Sequence, residues 1–413
     1  MNYLLKGKIF TGQKIIENGE IQFDNETGII SDIGERNSID EKKSTKINEI
    51  EKGLILPGLI DAHLHFLGGG YSNSLLDDIT VDVQTVTIRA INDMHRLLNG
   101  GFTTVRDLGS KVAVYLAKAV KNDELPGPRI VASSYSLAQS GGDDDPKMLS
   151  SDIRAKFAYS YFCDGPWECR KAVRTCIRDG AKVIKAYASR CLEYTSKGGL
   201  VGGGRIKREF TVEELKAIVD EAHSAGLKVA THAYGEEAIE NVIRAGVDSI
   251  EHGIGLTDSL ARKIKEKGIF YVPTLEVYKD AILSDPHSEE ASLSFIKKHL
   301  KDDMLIANNH GLKIVVGTDI SGTLALPHGE NYKEIINIFE YTGMERAFQS
   351  ATSVAAKCLD IENVGLLKKG NIADLIVLDS DPFKNALNLG PAHVKYGFIK
   401  GRTFKYNYNL IYF

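Results

Sequence analysis

The stretch that decides the fold runs from Thr211 to Gly253, TVEELKAIVDEAHSAGLKVATHAYGEEAIENVIRAGVDSIEHG. Its first part reads as a helix, with Thr211 at the N-cap, Glu214 three residues on as a capping box, and Gly226 closing the end. Two short apolar runs follow, 228–232 and 249–252, and each ends on a histidine. Repeated units of strand and helix imply a parallel sheet. The same grammar extends outward from this stretch. Apolar runs at 59–65, 102–107, 129–135, 183–188, 269–274 and 313–319 bring the set to eight, with helical patterns between most of them. Eight such units match an α/β fold of the TIM (β/α)8 barrel type. Long segments after the first and third strands, beginning with 66–80 and 136–165, are expected at the barrel's C-terminal mouth, where active sites are built.

The two ends of the chain read differently. Runs at 3–10, 15–24 and 28–34 carry hairpin grammar, with turns expected at Gly12, Asn18-Gly19 and 25–28. A polar stretch covers 35–52, and the apolar run 54–60 starts something new. Strand grammar returns in 373–379, 394–401 and 402–413. The expectation is a small β-sandwich domain assembled from 1–56 and 360–413, around a barrel domain over 57–359.

Composition narrows the function classes. The 413 residues carry 51 Lys+Arg against 55 Asp+Glu, a net charge of −4, with 43% hydrophobic and 26% charged residues. That is ordinary for a globular chain and gives no electrostatic case for a nucleic-acid partner. No apolar run reaches the ~18 residues of a membrane span. The first ten residues lack the apolar core and cleavage site of a secretory signal. Five cysteines without a C-x-x-C suggest neither a disulfide framework nor a thiolate zinc site. Reduced thiols point to a cytoplasmic protein.

The chemistry lies where metal-ligand residue types fall. His63 and His65 are two apart on the first strand, so both point to one face. Lys185 lies inside the apolar run VIKAY, while His232, His252 and Asp319 sit at the ends of theirs. In a parallel barrel all six converge on one mouth. Singly, each has an ordinary reading: a buried, hydrogen-bonded histidine, or a cap for the next helix. Lys185 is the oddest, because a lysine in an apolar strand is costly unless paired or chemically altered. His95, His223, His287, His299 and His310 fall on or near helical patterns and read as surface or structural. Four imidazoles with one or two carboxylates suit zinc, manganese or iron, zinc being the expected metal. Carbon dioxide can convert the lysine amine to a carbamate able to bridge two divalent metal ions. Ions roughly 3.5–4 Å apart would lower the pKa of a shared water toward ~7.

With these residues in view, the sequence resembles the amidohydrolase superfamily, the binuclear metal-dependent hydrolases on a TIM barrel. LPGLIDAHLH resembles the strand-1 signature, GAKVIKAYAS the segment with the carboxylated lysine, and THAYG, SIEHG and GTD the remaining ligand positions. GLLKKGNIADLIVLDSDP resembles the return into the β domain. The likeness is greatest to the prolidase-like and imidazolonepropionase-related branch. It implies that His63, His65 and Asp319 hold one ion and His232 and His252 the other, with Lys185 bridging. It further implies attack of an activated water on the amide carbonyl of a small-molecule substrate, a dipeptide or N-acyl amino acid. Asp319 then serves as general base and acid. Tyr234 is a candidate for the oxyanion or a substrate carboxylate, and a packed rim tyrosine is an equal reading. Family members are commonly oligomers, so a homo-oligomer is left open.

The chain departs from its relatives at the mouth. Where they carry a substrate-binding histidine after strand 3, this chain has Asp143 in the run Asp143–Asp145. Three acids could recognise a cationic group, or form a solvated loop. Arg190, ahead of the glycine-rich loop 197–207, is a candidate for a substrate carboxylate, or a surface residue. His328, in PHGEN, is a candidate pocket residue. Two enzyme alternatives are a cyclic amide hydrolase of the imidazolone type and a mononuclear deaminase. Deaminating relatives place a glutamate where this chain has Gly235. A non-catalytic amidohydrolase-like scaffold ranks last, because all six ligand types are present.

Overall fold

The computed structural model describes residues 2–68, 81–142, 144–145, 150, 160–190, 193–194, 200–201, 208–284, 290–323, 325–406 and 409–410. Each of the eight expected runs holds a strand. They are Leu59–Leu64, Phe102–Asp107, Arg129–Ala132, Val183–Tyr187, Lys228–Ala233, Ser249–His252, Phe270–Val272 and Lys313–Ile314. The first three pair in parallel as one sheet. The last five form a second parallel sheet, extended by the short strands Ser136–Ala138 and Ser160–Phe162. Hydrogen bonds join the two sheets at both junctions. Lys182 N–H donates to Ala132 O at 2.8 Å, Ala62 N–H to Val316 O at 2.8 Å, and Thr318 N–H to His63 O at 2.9 Å.

Local chemistry explains the helices between them. The helix Val212–Ser224 carries the expected capping box: Glu214 N–H donates to the Thr211 hydroxyl at 3.3 Å and Thr211 N–H to the Glu214 carboxylate at 2.7 Å. Strands Leu59–Leu64 and Phe102–Asp107 are buried along their whole length, polar residues included, as expected for strands covered on both faces.

Apart from a small antiparallel pair, Glu193–Tyr194 with Leu200–Val201, the remaining strands form one eight-stranded sheet from both ends of the chain. Its order is Asn409–Leu410, Arg402–Tyr406, Val394–Ile399, Leu375–Leu378, Lys46–Pro57, Asn2–Phe10, Ile15–Asp24, Ile30–Glu35. The rings of Tyr3, Phe23 and Phe398 pack at 4.9–5.3 Å in its core. Two expectations need correcting here. Asn18-Gly19 makes no turn but lies inside the strand Ile15–Asp24, with Gly19 opposite Gly7. A Cβ on Gly19 would stand 2.8 Å from Ile9 Cδ1, so the glycine sits in close side-chain packing and does not reverse the chain. Part of the polar stretch 35–52 is also sheet. The strand Lys46–Pro57 pairs in parallel with Asn2–Phe10 through its polar half and antiparallel with Leu375–Leu378 through its apolar half. Backbone ladders do not require apolar side chains, which is why its first half carried no signal. Among the described residues no helix is long and apolar enough to cross a membrane.

Gly53 shows how tightly this sheet is joined. A Cβ there would lie 1.9 Å from Leu378 O. Gly53→Ala should therefore cost ~1–3 kcal/mol through overpacking. Guanidinium unfolding checks this, and an unchanged midpoint would contradict it.

Candidate metal centre

His63, His252 and Asp319 present ligand atoms within 4.8 Å of one another. Asp319 Oδ1 lies 3.3 Å from His63 Nε2 and 3.1 Å from His65 Nε2. The His252 ring is 5.1 Å from that of His63 and 4.6 Å from that of His232. Lys185 is buried on the strand beside His232, its Nζ 5.1 Å from the Tyr187 ring centre. Tyr187 and His232 are register partners with rings 5.1 Å apart. All six residues singled out by sequence thus meet in one place.

Strand periodicity accounts for most of this convergence. Tyr187, His232 and Glu251 are register neighbours on three adjacent parallel strands and share a face, as does Lys185 two residues before Tyr187. His252 is one residue out of phase. Its φ of 66° places it in the left-handed region, and this turn returns its ring to the cluster. Asp319 and Thr274 have φ of 58° and 51°. Non-glycine residues in this region concentrate at functional sites, where the surrounding structure holds the strain.

The second nitrogen of three imidazoles is tied down. His63 Nδ1 lies 2.9 Å from Glu251 Oε2, His65 Nδ1 3.0 Å from Gly109 O, and His252 Nδ1 2.7 Å from Thr274 Oγ1. The Gly109 carbonyl can only accept, so His65 Nδ1 carries a proton, which leaves Nε2 facing Asp319. His63 Nε2 is buried and makes no hydrogen bond. An orphaned Nε2 on His63, beside anchored Nδ1 atoms on three imidazoles, is what divalent-ion ligands require, and the residues present fit such an ion.

Beneath the histidines lie buried charges. Arg106 donates to Glu251 Oε1 at 2.8 Å, to the Ser249 hydroxyl at 3.1 Å, and to Ala62 O. Burial opposes ionisation of Glu251, but Arg106 and His63 outweigh it and hold the carboxyl down to about 2. Asp61 accepts from the Thr318 hydroxyl and Asn331 Nδ2, both at 2.7 Å, and from His63 N–H at 2.9 Å. Asp107 accepts from Phe66 N–H and the Ser110 hydroxyl, both at 2.8 Å, fixing the backbone next to His65. Burial pushes His232 well below the ordinary imidazole value, helped by the Lys185 charge, and His252 likewise, helped by His232. Burial also opposes ionisation of Asp319, yet the adjoining His63 and His65 hold it well below the usual carboxylate range.

The expected substrate contacts vary in placement. Tyr234 is buried, its ring 4.4 Å from that of His232, and its hydroxyl hydrogen-bonds that of Tyr278. His328 lies against His65, its Nε2 3.1 Å from His65 O, and burial pushes its imidazole down to about 4. Arg190 donates to Gly141 O at 3.1 Å. Asp143, His287 and most of loop 197–207 lie outside the described residues. Asp144 accepts from the Ser160 hydroxyl, and Asp145 from Gly141 N–H at 2.6 Å, so both brace their own loop. His223 and His310 pair with Asp248 and Asp258 at 2.8 and 2.6 Å, structural contacts as expected. Sequence reading missed Arg106, Glu251, Thr274 and Tyr278. A signal was present for the first two, since charged residues inside apolar runs are what singled out Lys185.

The pair makes a pH-dependent prediction. Because Glu251 sits near 2 when folded and 4.5 is its ordinary value, its contribution is full above about pH 4.5 and is lost as pH falls toward 2. Glu251→Gln strands Arg106 and should cost ~3–5 kcal/mol at neutral pH. It should also flatten that part of the acid limb. Denaturant titrations across pH check both, and a parallel acid limb in the variant would contradict the assignment.

Comparison with known proteins agrees with this arrangement. The amidohydrolase family model matches residues 54–404. The chain is 28% identical to ochratoxinase of Aspergillus niger over 367 residues, 80% of this chain and 71% of that protein. The crystal structure of A. niger ochratoxinase superposes with a TM-score of 0.88 at 26% identity, covering 98% of this chain and 96% of that one. A Xaa-Pro dipeptidase with bound methionine in its active site gives 0.83 at 30% identity, covering 98% and 100%. A prolidase complexed with N-methylphosphonate-L-proline gives 0.85 at 28%, covering 98% and 100%. The chain therefore belongs to the amidohydrolase family and is a hydrolase acting on carbon–nitrogen bonds.

Proposed function

We propose that this chain is a metal-dependent amidohydrolase that cleaves an amide bond in a dipeptide or N-acyl amino acid. The observation that carries the reading is the cluster of buried imidazoles with anchored Nδ1 atoms around Asp319 and Lys185. His63, His65 and Asp319 would hold one ion, and His232 and His252 a second. Lys185, carboxylated by carbon dioxide, would stand between them. Two zinc ions bound there supply a Lewis acid for the carbonyl and a water of lowered pKa. Asp319, kept ionised by its histidines, takes the proton of the attacking water and returns it to the leaving amine. Tyr234, whose ring lies 4.4 Å from that of His232, would hydrogen-bond the developing oxyanion.

The names of the relatives, among them a Xaa-Pro dipeptidase and a prolidase, support a substrate whose amide nitrogen belongs to an amino acid. Arg190, His328 and Asp143 are the residues of this chain proposed to meet it. The deaminase reading is disfavoured at Gly235, which has φ 79° and starts the helix Glu236–Ala245 without a carboxylate. The hydrogen bonds between the two parallel sheets support a closed eight-stranded barrel over 57–359. The sheet from both ends supports a β-sandwich domain over 1–56 and 360–413. Four buried cysteines outside any disulfide fit a reducing, cytoplasmic setting.

Metal analysis of the purified protein should find about two ions per chain. One ion would favour a deaminase, and none the scaffold reading. Lys185→Ala should lose one ion and most turnover; retained binuclear activity would overturn the assignment. A panel of Xaa-Pro dipeptides and N-acyl amino acids, with cationic, neutral and acidic ends, should show hydrolysis that fades when Arg190 is replaced by alanine. No turnover across the panel would defeat the proposed substrate class.

A further inference from the structure

A cavity of about 630 Å³ opens at the end of the barrel strands opposite the candidate metal centre. It is bordered by Arg129, the first residue of its strand, and by Lys182, just ahead of Val183. Its walls come from three parts of the chain. Val114, Ala117 and Val120 belong to the helix Ala113–Lys121, Leu125 and Ile130 to the following loop and strand, and Ile399 to the sheet built from both ends. This volume lies within the range of ordinary small-molecule sites, which are mostly apolar with a few polar groups.

The charges around it are distinctive. Six basic side chains (Lys118, Lys121, Arg129, Lys182, Lys400 and Arg402) face two acidic ones, Asp123 and Asp179. The local excess of four positive charges stands against a chain whose net charge is −4. The acids are engaged: Asp123 by Lys400 and Arg402 at 3.7 and 3.5 Å, and Asp179 by the Tyr161 hydroxyl at 2.6 Å. Arg129 is paired with Asp374 at 2.7 Å. Lys118, Lys121 and Lys182 are exposed and have no carboxylate partner among the described residues. An apolar chamber rimmed by unneutralised ammonium groups is complementary to one kind of molecule, with an apolar body and an anionic head.

We propose that this cavity is a second ligand site for a small amphipathic carboxylate. The apolar body lies between the helix Ala113–Lys121 and the strand Arg129–Ala132, and the carboxylate meets Lys118, Lys121 and Lys182 at the rim. The site is separate from the candidate metal centre, so this assignment does not rest on the proposed reaction.

Calorimetric titration of the full, metal-loaded chain with decanoate, below its micelle concentration, tests it. Saturable binding at one site per chain is expected. Decanol and decylamine should each bind at least about tenfold more weakly. Ala117→Trp, which fills the chamber, should weaken decanoate by at least about tenfold while metal content is unchanged. The triple variant Lys118→Glu, Lys121→Glu, Lys182→Glu changes only exposed residues and keeps the test valid should Ala117→Trp misfold. It should weaken decanoate similarly while leaving decanol unaffected. Absence of decanoate binding, decanol binding as tightly, or unchanged affinity in the charge-reversed chain would each overturn the proposal. So would sedimentation showing that this face is covered by a second copy of the chain.

Discussion

The ion pair between Arg106 and Glu251 is the contact around which the centre is organised. Burying either charge alone costs several kcal/mol, and such a pair is tolerable only when its remaining hydrogen-bonding capacity is filled. Here it is filled by Ala62 O, the Ser249 hydroxyl and His63 Nδ1. The pair and these partners together span three strands, Leu59–Leu64, Phe102–Asp107 and Ser249–His252, the last in the other sheet from the first two. One guanidinium therefore fixes the relative height of strands far apart in sequence and orients the first imidazole above them. Asp61 and Asp107 do the same for the backbone around His63 and His65.

That arrangement leaves the upper rim to do something strands do poorly. A parallel strand offers every second side chain to the interior, yet Glu251 and His252 are adjacent and both are needed there. The left-handed turn at His252 resolves the conflict, and Thr274 and Asp319 share the same device. Conformations of this kind cost of order 1–3 kcal/mol each and persist because packing over-determines them. The packing here is close: a Cβ on Gly317 would stand 2.8 Å from His63 Cβ.

Much of this was legible in the sequence, and the failures have physical causes. The eight strands and the Thr211 cap were visible because hydrophobic period and capping chemistry are local. Lys185 stood out because its charge contradicted its surroundings, and Arg106 and Glu251 carried the same contradiction without being recognised. Tyr278 and Thr274 carried no such mark, since each is ordinary for its segment and acquires meaning only from Tyr234 and His252 beside it. Asn18-Gly19 misled because a glycine packed inside a strand looks, in one dimension, like one required by a turn. The contacts of Asp144 with the Ser160 hydroxyl and of Asp145 with Gly141 N–H leave no trace in composition.

The strand Lys46–Pro57 has a bearing on how the molecule comes into being. It is covered on one side by Asn2–Phe10, available early in synthesis, and on the other by Leu375–Leu378, which follows more than three hundred residues later. Until that partner emerges, the buried run Leu54–Leu56 and an unpaired sheet edge remain open to solvent while the parallel sheets form behind them. The parallel strand Leu59–Leu64 continues from this one across Gly58. The nascent chain thus holds an adhesive edge at the entry to the strand Leu59–Leu64, the end away from the candidate metal centre, for most of its translation. Pairing over so long a loop is slow, which makes assembly of this sheet a natural point of dependence on chaperones.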